Sequence, residues 1–110
     1  MMNTKPLQIS AMSLECAAEL FGVLSTPVRL QIIRVLCDGE QNVTHLLAQI
    51  EISQPNMSHH LQVLYQSGVL VRRRDGHQMF YRLADAAKAL VCKLVCPQPG
   101  TEEQSFVGLD

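Results

Sequence analysis

The apolar positions keep a helical spacing along most of the chain and change to a strand spacing in one stretch of its second half. From Met12 to Leu24 they recur at the spacing that is typical of one face of an α-helix. The same spacing predicts four further helices, over residues 28–36, 43–50, 53–64 and 84–95. Residues suited to N-capping precede three of them: Thr26, Asn42 and Ser53. The pattern therefore predicts a mainly α-helical domain.

The stretch between the last two helices predicts a β-hairpin. Two β-prone runs, 69–74 and 77–83, flank Asp75-Gly76, a pair that favours a tight turn. Gly68 follows the preceding helix at the position where glycine commonly ends one. The hairpin holds four of the nine basic residues of the chain: Arg72, Arg73, Arg74 and Arg82. A basic hairpin directly after a short helix is the layout of a winged helix-turn-helix.

The helix over 53–64 has an outer face without any charged residue. Winding it at about 100° per residue places Met57, Leu61 and Leu64 on one apolar stripe. The other side holds amide, hydroxyl and imidazole groups and one proline: Gln54, Pro55, Ser58, His59 and Gln62. Such groups suit the major groove of DNA, where short polar contacts read base edges. The simpler interpretation is a solvated helix that happens to lack charge.

The net charge of the chain is −1, but its charges are unevenly distributed. Residues 53–82 carry four arginines against one acid, Asp75. Because the local field rather than the total charge attracts phosphate, this segment still predicts an interaction with double-stranded DNA. The helix would enter the groove while wing residues such as Arg72 and Arg74 hold phosphates or the adjacent minor groove.

A chain of 110 residues is expected to form one domain. We expect a flexible N-terminus over 1–10, the winged domain over 11–96, and a flexible, acidic C-terminal tail over 97–110. No apolar run approaches the ~18 residues of a membrane span, and the first residues lack the pattern of a signal peptide. Four cysteines without an export signal or a framework spacing favour reduced thiols in a cytoplasm.

Three segments of the chain resemble the arsenic-repressor (ArsR/SmtB) family. They are LSTPVRLQII over 24–33, ISQPNMSHHL over 52–61, and the hairpin region over 68–83. The resemblance covers about residues 14–96, and it implies a homodimer that represses transcription and releases its operator DNA when an inducer binds. It implies DNA contacts from the helix and the wing, at Gln54, Pro55, Ser58, His59, Arg74 and Gln78. His60 borders the apolar stripe, and we interpret it as structural.

The first and last helices are more apolar than a small winged domain needs to cover itself. Apolar residues leave little polar face on the last helix: Leu83, Ala86, Ala87, Leu90, Val91, Leu94 and Val95. This excess predicts a homodimer in which the terminal helices pack against each other. Two wings would then meet half-sites about one helical turn (~10 bp) apart or a multiple of it.

The best-known sensor sites of the resembled family are absent from this chain. The third helix begins with Asn42-Val43-Thr44-His45 instead of cysteines, and the last helix has Asp85 but no histidine. Cys92 and Cys96 lie four residues apart on the last helix, so their sulfurs share a face. With Cys16 of the first helix they would form a thiolate site for As(III), Sb(III) or another soft metal ion. Cys37, at a helix end facing a loop, is the weakest candidate.

Three alternatives remain open at this point. The thiols could respond to oxidants or reactive sulfur, although a direct bond between Cys92 and Cys96 is geometrically awkward, and pairing across helices with Cys16 or Cys37 would relieve this. The cysteines could also be small buried hydrophobes without a sensing role. A protein-interaction module with a winged fold and no DNA binding comes from another class. The chain carries no catalytic triad, phosphate-binding glycine loop or Cys-X-X-Cys motif, so we do not expect an enzyme.

Overall fold

The computed structural model describes residues 13–95, which form five helices and three strands. In chain order these are α1 (Leu14–Val23), α2 (Pro27–Leu36), β1 (Gln41–Asn42), α3 (Val43–Gln49), α4 (Gln54–Gln66), β2 (Leu70–Asp75), β3 (Gln78–Leu83) and α5 (Asp85–Val95). The five predicted helices and the hairpin are confirmed, and β1 is an addition. The predicted flexible segments 1–10 and 97–110 lie outside the described residues.

The predicted N-caps explain where three helices begin. The side-chain oxygens of Thr26, Asn42 and Ser53 accept backbone N–H groups three residues ahead, at 3.2, 2.8 and 3.2 Å. Each bond satisfies a donor that has no partner inside its own helix. In α2, Pro27 also occupies the first turn, where its missing N–H costs nothing.

The end of α4 sets the start of the wing. Gly68 has a φ of +86°, a left-handed conformation that favours glycine. Its N–H donates to the carbonyl of Tyr65, and the N–H of Val69 donates to the carbonyl of Leu64, both at 3.1 Å. These two bonds form a Schellman motif, which closes the helix and turns the chain directly into β2.

The three strands form an antiparallel sheet in the order β1-β3-β2. The register runs from Leu70 opposite Leu83 to Asp75 opposite Gln78, so the connecting residues are Gly76 and His77. The sequence predicted Asp75-Gly76 as the turn, which is therefore shifted by one residue. Gly76 has a φ of +65°, as a tight hairpin turn requires.

The core lies between α2, α3, α4 and the base of the hairpin. Its fully buried side chains include Ile32, Ile33 and Leu46, together with the predicted stripe of Met57, Leu61 and Leu64. α5 covers the remaining side by packing Ala87 and Val91 toward α2. The pairing of α3 with α4, followed by the hairpin, is the predicted winged helix-turn-helix.

Among residues 13–95, four large apolar side chains remain exposed, all on α1 and α5. They are Leu14, Phe21, Leu90 and Leu94, with exposed fractions of 87%, 68%, 40% and 58%. Within residues 13–95, no single helix has the length and apolar composition to cross a bilayer; α1 and α2 meet that criterion only together, bent by 91°.

Candidate DNA-binding surface and cysteine pair

The outer face of α4 carries the predicted base-reading residues. Gln54, Pro55, Ser58, His59 and Gln62 are all exposed, while the stripe on the opposite side is buried in the core. The helix therefore has the orientation that the apolar spacing predicts. Because none of these side chains is charged, the surface offers neutral donors and acceptors to whatever it meets.

The arginines of the wing lie on its two opposite faces. Residues directly opposite each other on paired strands share a face, so Arg72 lies with Tyr81, and Arg73 lies with Phe80 on the other side. The Arg72 guanidinium lies 3.9 Å from the centre of the Tyr65 ring and donates to Gln62 Oε1 at 3.3 Å. Arg72 and, two residues later, Arg74 thus occupy the wing face toward α4.

Arg73 has a structural partner on the far face. Its guanidinium donates two bonds to the carboxylate of Glu40, at 2.9 and 2.8 Å, and lies 4.6 Å from the centre of the Phe80 ring. The hydrogen bond from Arg73 lowers the pKa of Glu40, and the bond to Glu40 raises the pKa of Arg73. This pair ties the loop after α2 to the wing, so Arg73 is engaged away from the α4 surface.

The predicted DNA contact Gln78 is exposed at the beginning of β3, and its side chain has a partner. Asn42 Nδ2 donates to Gln78 Oε1, while Asn42 Oδ1 accepts the N–H of His45 at 2.8 Å. Asn42 is the buried polar residue that connects α3 to the wing. The geometry therefore gives Gln78 a bridging role, with its NH2 group and one lone pair of Oε1 left for an outside partner.

A contact that the sequence did not predict holds three helices together. Arg29 Nε donates to His60 Nδ1 at 3.1 Å, and Arg29 Nη1 donates to the carbonyl of Val23 at 3.0 Å. The bond requires a neutral imidazole, and burial, then the nearby charges of Arg29 and His59, lower the pKa of His60. His60 thus has the structural contact expected for it, and local spacing gave no signal for a partner 31 residues away.

The lowered pKa of His60 predicts that the domain loses stability in mild acid. The unfolded chain takes up the proton near pH 6.5, before the folded protein does. The contribution is therefore complete above about pH 6.5 and is lost as the pH falls through the lower folded-state pKa. Urea midpoints measured between pH 7.5 and pH 5 should fall less for His60→Gln than for the parent. An equal fall of the urea midpoint with pH in His60→Gln and in the parent would contradict this assignment.

Cys37 and Cys92 form a disulfide that joins α2 to α5. Cys37 is the C-cap of α2, and the Cα atoms of the two residues are 6.0 Å apart. The sequence favoured reduced thiols and made Cys37, at a helix end facing a loop, the weakest candidate. For Cys37 and Cys92 the expectation of reduced thiols is wrong, because their contact depends on how the two helices pack. Close by, Arg34 Nε donates to the carbonyl of Val95 at 3.1 Å, which adds a second link between α2 and α5.

Cys16, another predicted metal ligand, does not join this pair. Cys16 is an exposed free thiol on α1, and Cys96 lies outside the described residues. Among residues 13–95 there is no group of three His, Cys, Asp or Glu side chains that could hold a metal ion. The described part of the chain therefore presents a two-sulfur site.

Two of the similar proteins are named as repressors. A biofilm growth-associated repressor of Xylella fastidiosa (strain Temecula1 / ATCC 700964) is 46% identical over 72 residues, covering 66% of this chain and 63% of the relative. The chain thus spans less than two thirds of that repressor. The arsenical resistance operon repressor of Escherichia coli (strain K12) is 35% identical over 85 residues, covering 76% of this chain and 73% of the relative.

Solved structures share the fold. The transcriptional repressor BigR from Xylella fastidiosa has a TM-score of 0.64 and 42% identity, covering 74% of this chain and 88% of its own. Reduced HlyU from Vibrio cholerae N16961 has a TM-score of 0.67 and 30% identity, covering 83% of this chain and 100% of its own. Mb0332 from Mycobacterium bovis is described as a homodimeric winged helix-turn-helix DNA-binding domain. It has a TM-score of 0.67 and 26% identity, covering 74% of this chain and 82% of its own.

The family model that describes bacterial regulatory proteins of the arsR family matches residues 26–71, which run from the N-cap of α2 into β2. The relatives are named as repressors and regulators, which confirms the prediction that the chain is not an enzyme. Fold, helix-turn-helix and relatives agree with the resemblance noted in the sequence: the chain belongs to the arsR family of bacterial regulatory proteins.

Proposed function

We propose that the chain is a transcriptional repressor that binds operator DNA as a homodimer and releases it when Cys37 and Cys92 are oxidised to a disulfide. The observation that carries the proposal is the pairing of these two sulfurs between α2 and α5. α2 contacts the recognition helix through Arg29 and His60, and α5 carries an exposed apolar face. A bond between the two helices therefore acts on the elements that hold α4 and the dimer.

DNA binding is supported by the chemistry of α4 and the wing. The exposed face of α4 offers neutral donors and acceptors, and Arg72 and Arg74 lie on the same side. Neutral polar groups read base edges while arginines hold phosphates. The relatives named as repressors support the same function.

A homodimer is supported by the exposed apolar residues of α1 and α5. Phe21 and Leu94 are 68% and 58% exposed, although apolar side chains of this size are usually covered. A second copy of the chain would cover them and set two copies of α4 side by side. The homodimer described for Mb0332 supports this assembly for a similar fold.

The sensing step is a two-electron oxidation of a dithiol. A hydroperoxide supplies the oxidant: the O–O bond breaks, an S–S bond forms, and the two thiol protons leave with the oxygens as an alcohol and water. A persulfide or polysulfide is the corresponding reactive-sulfur oxidant. The reduced dimer binds the operator. In the oxidised dimer the two α4 helices are placed differently relative to the operator, so the dimer releases it.

An inducer ion is the second candidate. As(III), Sb(III) or another soft metal ion would bind Cys92 with Cys96 and Cys16 after Cys92 is released from Cys37. The relative named as an arsenical resistance operon repressor favours this candidate. Thiolates suit such ions, but the site needs Cys96, beyond residues 13–95.

The test is fluorescence anisotropy of a labelled duplex taken from the DNA upstream of the gene. We expect the reduced protein to bind and peroxide to weaken binding by about 5- to 150-fold, the usual range of allosteric coupling. Cys37→Ser and Cys92→Ser should bind with or without peroxide, and Cys16→Ser should respond like the parent.

Each alternative has its own outcome in this assay. The inducer ion would be supported if As(III) releases DNA from the reduced parent but not from Cys96→Ser, and if peroxide has no effect on the parent. Release of DNA by peroxide from Cys37→Ser would place the sensor elsewhere. If the parent protein binds no duplex, the result would favour a protein-interaction module.

A further inference from the structure

Three side chains connect the wing to the recognition helix. The guanidinium of Arg72 lies 3.9 Å from the centre of the Tyr65 ring, and its Nη1 donates to Gln62 Oε1 at 3.3 Å. Gln62 is exposed on α4, one helical turn after Ser58, and thus on the same face. Arg72 is therefore held between a ring and an amide, whereas no side-chain hydrogen bond or ion pair within residues 13–95 engages Arg74.

The contact fixes which way the amide of Gln62 faces. A guanidinium has only donors, so the group that it meets must be the amide oxygen. The oxygen is thus directed to Arg72, and the NH2 group is the part that remains for another partner. The oxygen keeps a second lone pair, but its direction is set by Arg72, and the NH2 group is the part of the amide that is free of the wing.

The orientation decides which base the side chain can read. Adenine is read by a free amide in two bonds, one of which the amide oxygen accepts from the exocyclic N6–H. Guanine presents two acceptors, N7 and O6, in the major groove, and both suit an NH2 group. An amide whose oxygen is held toward Arg72 cannot align both its oxygen and its NH2 group with adenine, so it favours guanine over adenine.

We infer that Arg72 is a positioning residue that orients the amide of Gln62, so that α4 reads guanine and discriminates against adenine at one position of the operator. The inference rests on the proposed function, because it requires duplex DNA on the outer face of α4. The two arginines on this face of the wing then have different roles: Arg72 acts through Gln62, and Arg74 contributes its charge directly to phosphate.

The experiment measures relative affinities for a set of duplexes in which each position of the bound upstream segment carries every base pair in turn. Gln62→Ala should lose the preference for guanine at one position, by about 10-fold. Arg72→Met keeps an apolar stem on Tyr65 but frees the amide, so the ratio of guanine to adenine affinity at that position should fall by about 10-fold. Arg74→Met is the matched control, and it should weaken binding equally for all duplexes.

A second variant tests the orientation without disturbing the wing. Gln62→Glu keeps an acceptor for Arg72 but has no donor, so it should also lose the guanine preference. An unchanged ratio in Arg72→Met, at a position where Gln62→Ala alters it, would overturn the role of Arg72. An unchanged preference in Gln62→Ala would overturn the role of Gln62. Either result leaves DNA binding intact, whereas failure of the parent protein to retain any duplex refutes the proposed function itself.

Discussion

Reducing the bond between Cys37 and Cys92 is expected to lower the free energy of unfolding by about 4 kcal/mol. The two residues are 55 positions apart, so the bond closes a long loop and removes much of the conformational freedom of the unfolded chain. The folded domain changes less, because Ala87 and Val91 already pack α5 toward α2. Urea unfolding followed by far-ultraviolet circular dichroism, with and without a thiol reductant, measures the difference.

The cysteine variants separate this bond from other effects of the reductant. Cys37→Ser should unfold at the midpoint of the reduced parent under both conditions. Cys16→Ser should keep the full difference, since Cys16 is a free thiol on the surface. Equal midpoints for the oxidised and the reduced parent would show that the bond does not stabilise the fold, and would remove the physical basis for a switch at α5.

The sequence predicted the helices because each one carries its own local signals. Thr26, Asn42 and Ser53 mark three beginnings, and Gly68 marks an end, all within a few residues of the atoms that they bond. β1 has only two residues and no alternation of its own. It exists because it pairs with β3, and a pairing across about forty residues leaves no local pattern.

The outer face of α4 was predictable for a related reason. A helix that buries a stripe must expose the opposite side, so burial of Leu61 and Leu64 fixes the exposure of Ser58 and Gln62. The spacing could not show which wing arginine reaches α4. The partner of Arg73 is 33 residues away in sequence, and that of Arg72 depends on the register of the hairpin.

The pairing of the cysteines depends more strongly on tertiary structure than the exposure of the α4 face does. The spacing of four positions from Cys92 to Cys96 suggested a shared helix face, which is a local argument. The end of α2 meets α5 through tertiary packing, although the whole winged domain lies between them in the sequence. Pairing of Cys37 with Cys92 therefore had no signal in the spacing, although pairing across helices was among the alternatives considered.

The exposed apolar residues of α1 and α5 lead to the remaining large effect. Substituting Phe21, which is 68% exposed, by glutamate should leave the fold of one protomer intact, because the side chain lies outside the core. In a homodimer it would bury two charges at the contact of the two copies, which is strongly unfavourable.

We expect Phe21→Glu and Leu94→Glu to be monomers that bind the upstream duplex at least about 100-fold more weakly than the parent, since one protomer meets only one half-site. Light scattering after size-exclusion chromatography gives the mass, and anisotropy gives the affinity. Gln31→Glu adds the same charge at an exposed position of α2 and should remain a dimer with nearly the parent affinity. A dimeric Phe21→Glu and a dimeric Leu94→Glu, both with unchanged affinity, would exclude α1 and α5 from the interface. Monomers that retain full affinity would instead show that one copy of α4 and its wing suffices for binding.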